Sequence, residues 1–281
     1  PSRCSDCGCR SRGGPTPPLV RPWPQPGHPL TTAQNHLIEL LPRVHRRRLL
    51  ALGESVELVL SDVLCEPGEP LRHLWFPVDG FISLVTLITD HPGLEVGMVG
   101  REGMLGAQVA LDVTTSPLRA LVQGRGTAWR FDVEPFRAEL AESPPLQLLL
   151  RRYVYVRMAQ LALAAACLRY HLIGPRLARW LLMSQDRAHT PSFHVTHEFL
   201  AYMLGVRRVG ITVAAGSLQR SGLIKYQRGQ LTVLNRSGLE AAACTCYAND
   251  RIAYASQIGG RTSRRPPEGE DIEPTPPTTH T

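Results

Sequence analysis

Carboxylates are scarce in one long stretch of this chain. Residues 169–236 hold 2 Asp/Glu against 10 Arg/Lys, whereas residues 35–150 hold 15 Asp/Glu against 10 Arg/Lys. The net charge of +7 therefore conceals an acidic part at −5 and a basic part at +8. A basic part attracts phosphate backbones and its acidic neighbour does not. The chain also has no run of eighteen uncharged apolar residues, which excludes a single spanning helix of that kind. Its first residues lack the charged-then-apolar pattern of a signal peptide, so a cytoplasmic location is expected. Seven cysteines are present, but their spacing lays out no disulfide framework, which fits a reducing compartment. There is no HExxH pair, no recognisable nucleophile–base pair and no glycine loop between a strand and a helix. The chain is not expected to be an enzyme.

What is present falls into five segments. Residues 1–30 are rich in Pro, Gly, Ser and Arg without an apolar period, and residues 257–281 are similar; both are expected to be disordered tails. Thr31 and Gln34 form a capping-box signal for a first helix through about Leu52. Up to about Val133, short β-branched and aromatic runs such as "HLWFPVDGFISLVTLI" alternate with Gly, Pro and Asp, as in an antiparallel sandwich, roll or barrel. Residues 31–142 are thus expected to form one β-rich domain. From Ser143, a good N-cap followed by Pro144, one long helix runs to a stop at Gly174-Pro175. At roughly 40 Å it is too long and too apolar to serve one domain alone. Leu149, Tyr153, Val156, Leu163 and Cys167 form a stripe interrupted by Gln160. The expectation is that residues 143–173 pair with a second copy along that stripe.

Residues 174–256 carry the most specific pattern. Thr196 caps a short helix to Leu204, Gly205 supplies a left-handed turn, and a second helix runs from about Arg207 to Arg220. The chain continues through "LIKYQRGQLTVL", two short strands around Arg228-Gly229. Ser237 and Glu240 then signal a last helix through about Ala255. Helix, turn, helix and hairpin, in that order and in a basic segment, read as a winged helix-turn-helix that binds double-stranded DNA. Arg208, near the start of the second helix, suits bidentate donation to guanine, while Arg207, Thr212, Arg220, Lys225 and Arg228 suit phosphates. The rival reading is a signalling module of the cyclic-nucleotide-domain type that binds a protein partner.

With these residues in view, the chain resembles the CRP/FNR family of bacterial transcription regulators over nearly all of residues 35–255. The spacing from Gly205 to "SGLI" at 221–224 carries the resemblance. It implies an α+β fold: an N-terminal antiparallel β-roll of the double-stranded β-helix or jelly-roll type, a dimerisation helix and a C-terminal winged helix-turn-helix. It implies a homodimer on DNA, RNA polymerase as a further partner, and a small-molecule effector of unknown identity. Family recognition helices commonly read bases with an Arg-Glu pair and a later Arg. Arg208 matches the first, but Val209 and Val213 replace the others, so a different base preference is expected. Glu102, Gly103 and Arg119 are the candidate effector-binding residues. The family's Arg-Ser or Arg-Thr phosphate pair is missing, however, with "TTSPLRA" in its place, so no cyclic nucleotide is expected. Cys4, Cys7 and Cys9, with Cys65 as a fourth, are too tightly spaced and too distant from the fold for the family's iron–sulfur ligation, and no cluster is expected. Cys244 and Cys246, two apart on the last helix, are expected on opposite sides of it, and His189, His194 and His197 are expected to be solvated loop residues. No metal site is expected.

Overall fold

The computed structural model describes residues 35–91, 93–188 and 190–259. Thr31, Gln34 and Cys4, Cys7 and Cys9 lie outside them. The first helix is two helices, α1 (His36–Glu39) and α2 (Arg43–Leu50). The Asn35 carboxamide caps α1 by accepting from the Leu37 and Ile38 amides. The break falls where Pro42 disfavours a helical residue before it and offers no amide of its own.

Seven strands follow: β1 (Gly53–Leu58), β2 (Val63–Cys65), β3 (His73–Pro77), β4 (Phe81–Thr86), β5 (Leu94–Val99), β6 (Arg119–Gly124) and β7 (Gly126–Asp132). They form two antiparallel sheets, ordered β1-β7-β3 and β2-β6-β4-β5. This is the expected roll. Strand β4 is buried along almost its whole length because its two faces serve different cores. Ile82 and Leu84 face the roll interior with Phe76, Val99, Val122 and Phe131. Phe81 and Val85 face the C-terminal domain with Leu177, Leu181 and Met203. The two-residue period of a strand separates the faces, so the run reads as uniformly apolar.

A helix not anticipated from sequence, α3 (Val133–Glu142), follows the roll, and the long helix α4 (Pro144–Tyr170) begins after it. The stripe expected to form a dimer seam points inward instead. Tyr153, Val156 and Cys167 are buried within the same chain, and Gln160 accepts a hydrogen bond from Arg157. The physical reason is that the roll and the last helix of the same chain pack over this face. The other face, with Leu148, Tyr155, Met158 and Leu161, is exposed.

The chain leaves the helix at His171, whose backbone is extended, and α5 (Ile173–Ala188) starts two residues later. Gly174 and Pro175 therefore open the next helix rather than close the last one, and Pro175 lies in a first turn that needs no amide from it. The remaining elements are β8 (Ser192–His194), α6 (His197–Leu204), α7 (Arg208–Arg220), β9 (Ile224–Gln227), β10 (Gln230–Val233), α8 (Arg236–Ala242) and α9 (Cys246–Ile258). The expected single last helix is again two. Asn235 caps α8 through the Gly238 amide, and the chain turns at Ala243–Thr245 before α9.

Helix α9 returns along α4, and its Tyr254 and Ile258 enter the roll core. Beside them Arg187 of α5 donates from Nε and Nη2, each at 2.8 Å, to one carboxylate oxygen of Glu102 in the roll. Both side chains are at least 95% covered. Leaving one of two buried charges without its partner costs about 3–5 kcal/mol. Glu102→Gln or Arg187→Met alone is expected to lower the urea midpoint by that amount of stability. The double substitution should recover much of the loss. Two losses that simply add would mean the groups do not act as a pair.

Candidate DNA interface

The helix-turn-helix is built from local signals. The Thr196 hydroxyl accepts from the Phe199 amide and starts α6. Gly205, at φ +62°, ends it in the left-handed region. Helix α7 then leaves at 109° to α6, within the usual range for this motif. Ile211, Ala214, Ala215 and Leu218 bury one face of α7 against α5 and α6. The opposite face is open: Arg207, Arg208, Val209, Thr212, Val213, Ser217 and Arg220 are all exposed, with Val209 and Val213 at 67% and 65%. Strands β9 and β10 make the hairpin, with Arg228 and Gly229 at its tip, φ +53° and +80°. That pair of left-handed residues is the two-residue turn that matches strand twist. Strand β8 adds a third strand on β10.

The basic charge divides by location. Arg187 is spent on Glu102, Arg236 binds Asp186 and Glu240, and Arg176 donates to the Leu204 carbonyl. Arg207, Arg208, Arg220, Lys225 and Arg228 are exposed, and none is ion-paired with a described residue. They lie at the start and end of α7, on β9 and at the hairpin tip. Thr212 belongs to the same surface, but its hydroxyl donates to the Arg208 carbonyl at 3.2 Å and lies 3.0 Å from His197 Nδ1.

His197 is a residue whose role the sequence concealed. It is half-buried on α6, not a solvated loop histidine, and it stacks on Tyr226 of the wing with centroids 4.6 Å apart. Tyr226 donates to the Val195 carbonyl. Burial, and then the Arg208 charge, lower the His197 pKa, so it remains neutral at pH 7. One imidazole thus ties the wing, α6 and α7 together. His194 is exposed on β8, and His189 lies outside the described residues.

The candidate effector residues are committed to separate partners. Glu102 is taken by Arg187 and the Gly100 amide. Gly103 lies under the Tyr153 ring, where a Cβ would fall 2.0 Å from the phenol oxygen. Arg119 binds Glu66 at 2.9 Å on the roll surface. A different crevice, of roughly 60 Å³, lies between β5, α4 and α5 and is lined by Glu95, Cys167, Arg176, Arg179, Trp180 and Met203 among others. That volume holds a few waters.

The site is thus an exposed cationic helix with a wing, a helix-turn-helix surface suited to DNA, joined to a β-roll by a long helix. Residues 175–242 match the Crp-like helix-turn-helix domain family. The chain is 22% identical to the global nitrogen regulator of Synechococcus elongatus over 178 residues, 60% of this chain and 80% of that protein. The global nitrogen regulator of a Nostoc species is equally similar over 176 residues. Among solved structures, a CRP/FNR-family regulator from Eubacterium rectale superposes with TM-score 0.58 at 17% identity, over 73% of this chain and 96% of that one. The c-di-GMP-responsive global regulator CLP of Xanthomonas campestris gives 0.56 at 16% identity, over 68% and 99%. Residues 175–242 thus form a Crp-like helix-turn-helix domain, and the described chain shares the fold of solved CRP/FNR regulators.

Glu95 gives the crevice a pH dependence. Burial raises its pKa from 4.5 to about 7, against hydrogen bonds from Ser83 and Trp180 that favour the carboxylate. Between those values the folded chain holds a proton that the unfolded chain has released. Stability is therefore greatest at the acid end and falls as pH rises toward 7, by at most about 1.4 kcal/mol per pH unit. Urea unfolding across that window should show the fall, and Glu95→Gln should flatten it. The same slope in the variant would assign the effect to another group.

Proposed function

We propose that the chain works as a homodimer that reads a two-fold-related pair of DNA half-sites, with its β-roll as the part that answers a small-molecule effector. The observation that carries this reading is the set of five exposed cations without ion-pair partners on α7 and the hairpin. Arg208 is the base reader, donating bidentately to guanine O6 and N7. Val209 and Val213, one turn apart and facing outward, suit thymine methyl groups. Arg207, Arg220, Lys225 and Arg228 take phosphates, and Thr212 adds its hydroxyl. Half-sites would lie about one DNA turn apart. RNA polymerase would be met by the DNA-bound dimer.

The proposed dimer seam is the outer face of α4. Leu148, Tyr155, Met158, Ala162 and Ala165 are exposed at three-, four- and seven-residue spacing along a helix of roughly 40 Å. An effector would act by changing how two such helices meet, and so the distance between the two copies of α7.

Selection of bound duplexes from a random pool tests the reading. Arg208→Ala should relax preference at one base pair of each half-site, worth about 1–3 kcal/mol of discrimination. A uniform loss over all sequences would reduce Arg208 to a phosphate contact. Affinity should also fall steeply with added salt, and a flat salt dependence would exclude phosphate binding by this surface. Tyr155→Glu with Met158→Glu sets like charges against each other in the proposed seam. Sedimentation should then show a monomer with unchanged far-ultraviolet circular dichroism, and a persisting dimer would place the seam elsewhere.

A further inference from the structure

Four side chains that play no part in the DNA interface converge where α4 ends. Cys167 lies in its last turn and His171 follows one turn later. Cys244 lies in the link between α8 and α9, and Cys246 is the first residue of α9. The expectation that the two thiols diverge on one helix fails for this reason: only Cys246 is helical. The four donor atoms all lie within 4.8 Å of one another. Cys167 Sγ is 3.6 Å from Cys244 Sγ, and Cys246 Sγ is 3.5 Å from His171 Nδ1. The three sulfurs are buried and His171 is half-buried.

We propose that Cys167, His171, Cys244 and Cys246 form a closed tetrahedral zinc site that pins the end of α4 to the start of α9. The distances carry the choice of ion. Zinc bonds of about 2.3 Å to sulfur and about 2.0–2.1 Å to nitrogen give tetrahedral edges of about 3.8 Å between sulfurs and about 3.6 Å between sulfur and nitrogen. The Cys167–Cys244 and His171–Cys246 separations are close to these values, and all four donor atoms lie within 4.8 Å of one another. Three thiolates and one imidazole are a zinc donor set, and they are too soft for magnesium or calcium. Four protein ligands leave no open position, so the ion is structural rather than catalytic.

The surroundings suit the charge. Three thiolates and an imidazole around Zn²⁺ sum to −1, and the Arg179 guanidinium contributes a favourable field at Cys167. Zinc is held by thiolate rather than thiol, so its binding displaces the thiol protons to solvent. The Cys244 amide also donates to the Pro175 carbonyl at 3.3 Å, which extends the clamp to the first turn of α5. A metal here spans both sides of the break at residues 171–172. That it fixes the approach of α7 to DNA rests on the functional reading above, whereas the presence of the metal does not.

The full chain, purified under reducing conditions without chelator, should contain about one zinc per chain. Replacing zinc with Co²⁺ should give the intense visible bands of a tetrahedral site and a thiolate-to-cobalt charge-transfer band. Cys167→Ser and Cys246→Ser should each weaken Co²⁺ binding at least tenfold. His171→Asn should shift the visible bands even where stoichiometry survives, which keeps the site testable if a cysteine variant folds poorly. Cys65→Ser, a buried thiol on β2, should change nothing, and neither should the triple variant Cys4→Ser, Cys7→Ser, Cys9→Ser. Overturning results are a wild-type chain that takes up no Co²⁺ after full reduction, an octahedral spectrum, or metal lost with the triple variant and retained in Cys246→Ser. Equally, a chain that only forms a Cys167–Cys244 disulfide on oxidation and binds no metal when reduced would make the cluster a thiol pair.

Discussion

The ion pair between Arg187 and Glu102 is the constraint around which the two domains are organised. Neither group tolerates burial alone, so the pair holds the roll and α5 at one separation. Its surroundings are equally committed. Tyr254 of α9 donates to the Glu102 carbonyl at 2.6 Å, and His36 of α1 lies 2.7 Å from the same phenol oxygen. The Arg101 carbonyl accepts from the His36 amide, and the Asn35 carboxamide donates to the carbonyls of Pro77 and Gly103. Residues 100–103 are therefore where α1, α5, α9 and the roll meet. The stretch that resembles a ligand-binding loop in sequence is occupied by the protein's own side chains.

That outcome separates what was readable in the sequence from what was not. The winged helix-turn-helix was legible because its determinants are local: a threonine cap, a left-handed glycine, a two-residue hairpin tip and an apolar face at helical spacing. The roll was legible as a class from its recurring turns and strand-forming runs. Other features escaped because they depend on distant partners or on short breaks. Two helices were read through the turns at Leu40–Pro42 and Ala243–Thr245. Helix α4 has apolar residues on two faces, and periodicity alone does not say which face its own chain covers. The fourfold cluster joins residues 77 apart in sequence. A signal existed in the C-x3-H spacing at 167–171 and the C-x-C at 244–246, but it becomes chemistry only when α9 folds back along α4.

The same geometry limits how a signal can cross the molecule. A ligand must bind one arrangement more tightly than the other, and moving a balance from 1:99 to 99:1 takes about 5.5 kcal/mol of differential affinity. Parting α5 from the roll would break the Arg187–Glu102 pair, and any partial opening that leaves one of the two charges buried alone costs about 3–5 kcal/mol before any lost packing. It would also expose Phe81, Val85 and Met98, which face the C-terminal domain rather than the roll interior. A motion that preserves the joint at residues 100–103 avoids both costs. Such a motion carries the roll, α5 and α7 of one chain together and changes only the outer face of α4. In the proposed dimer, the contact most open to regulation is therefore the one that leaves the Arg187–Glu102 pair intact, where Tyr155 and Met158 face away from their own chain.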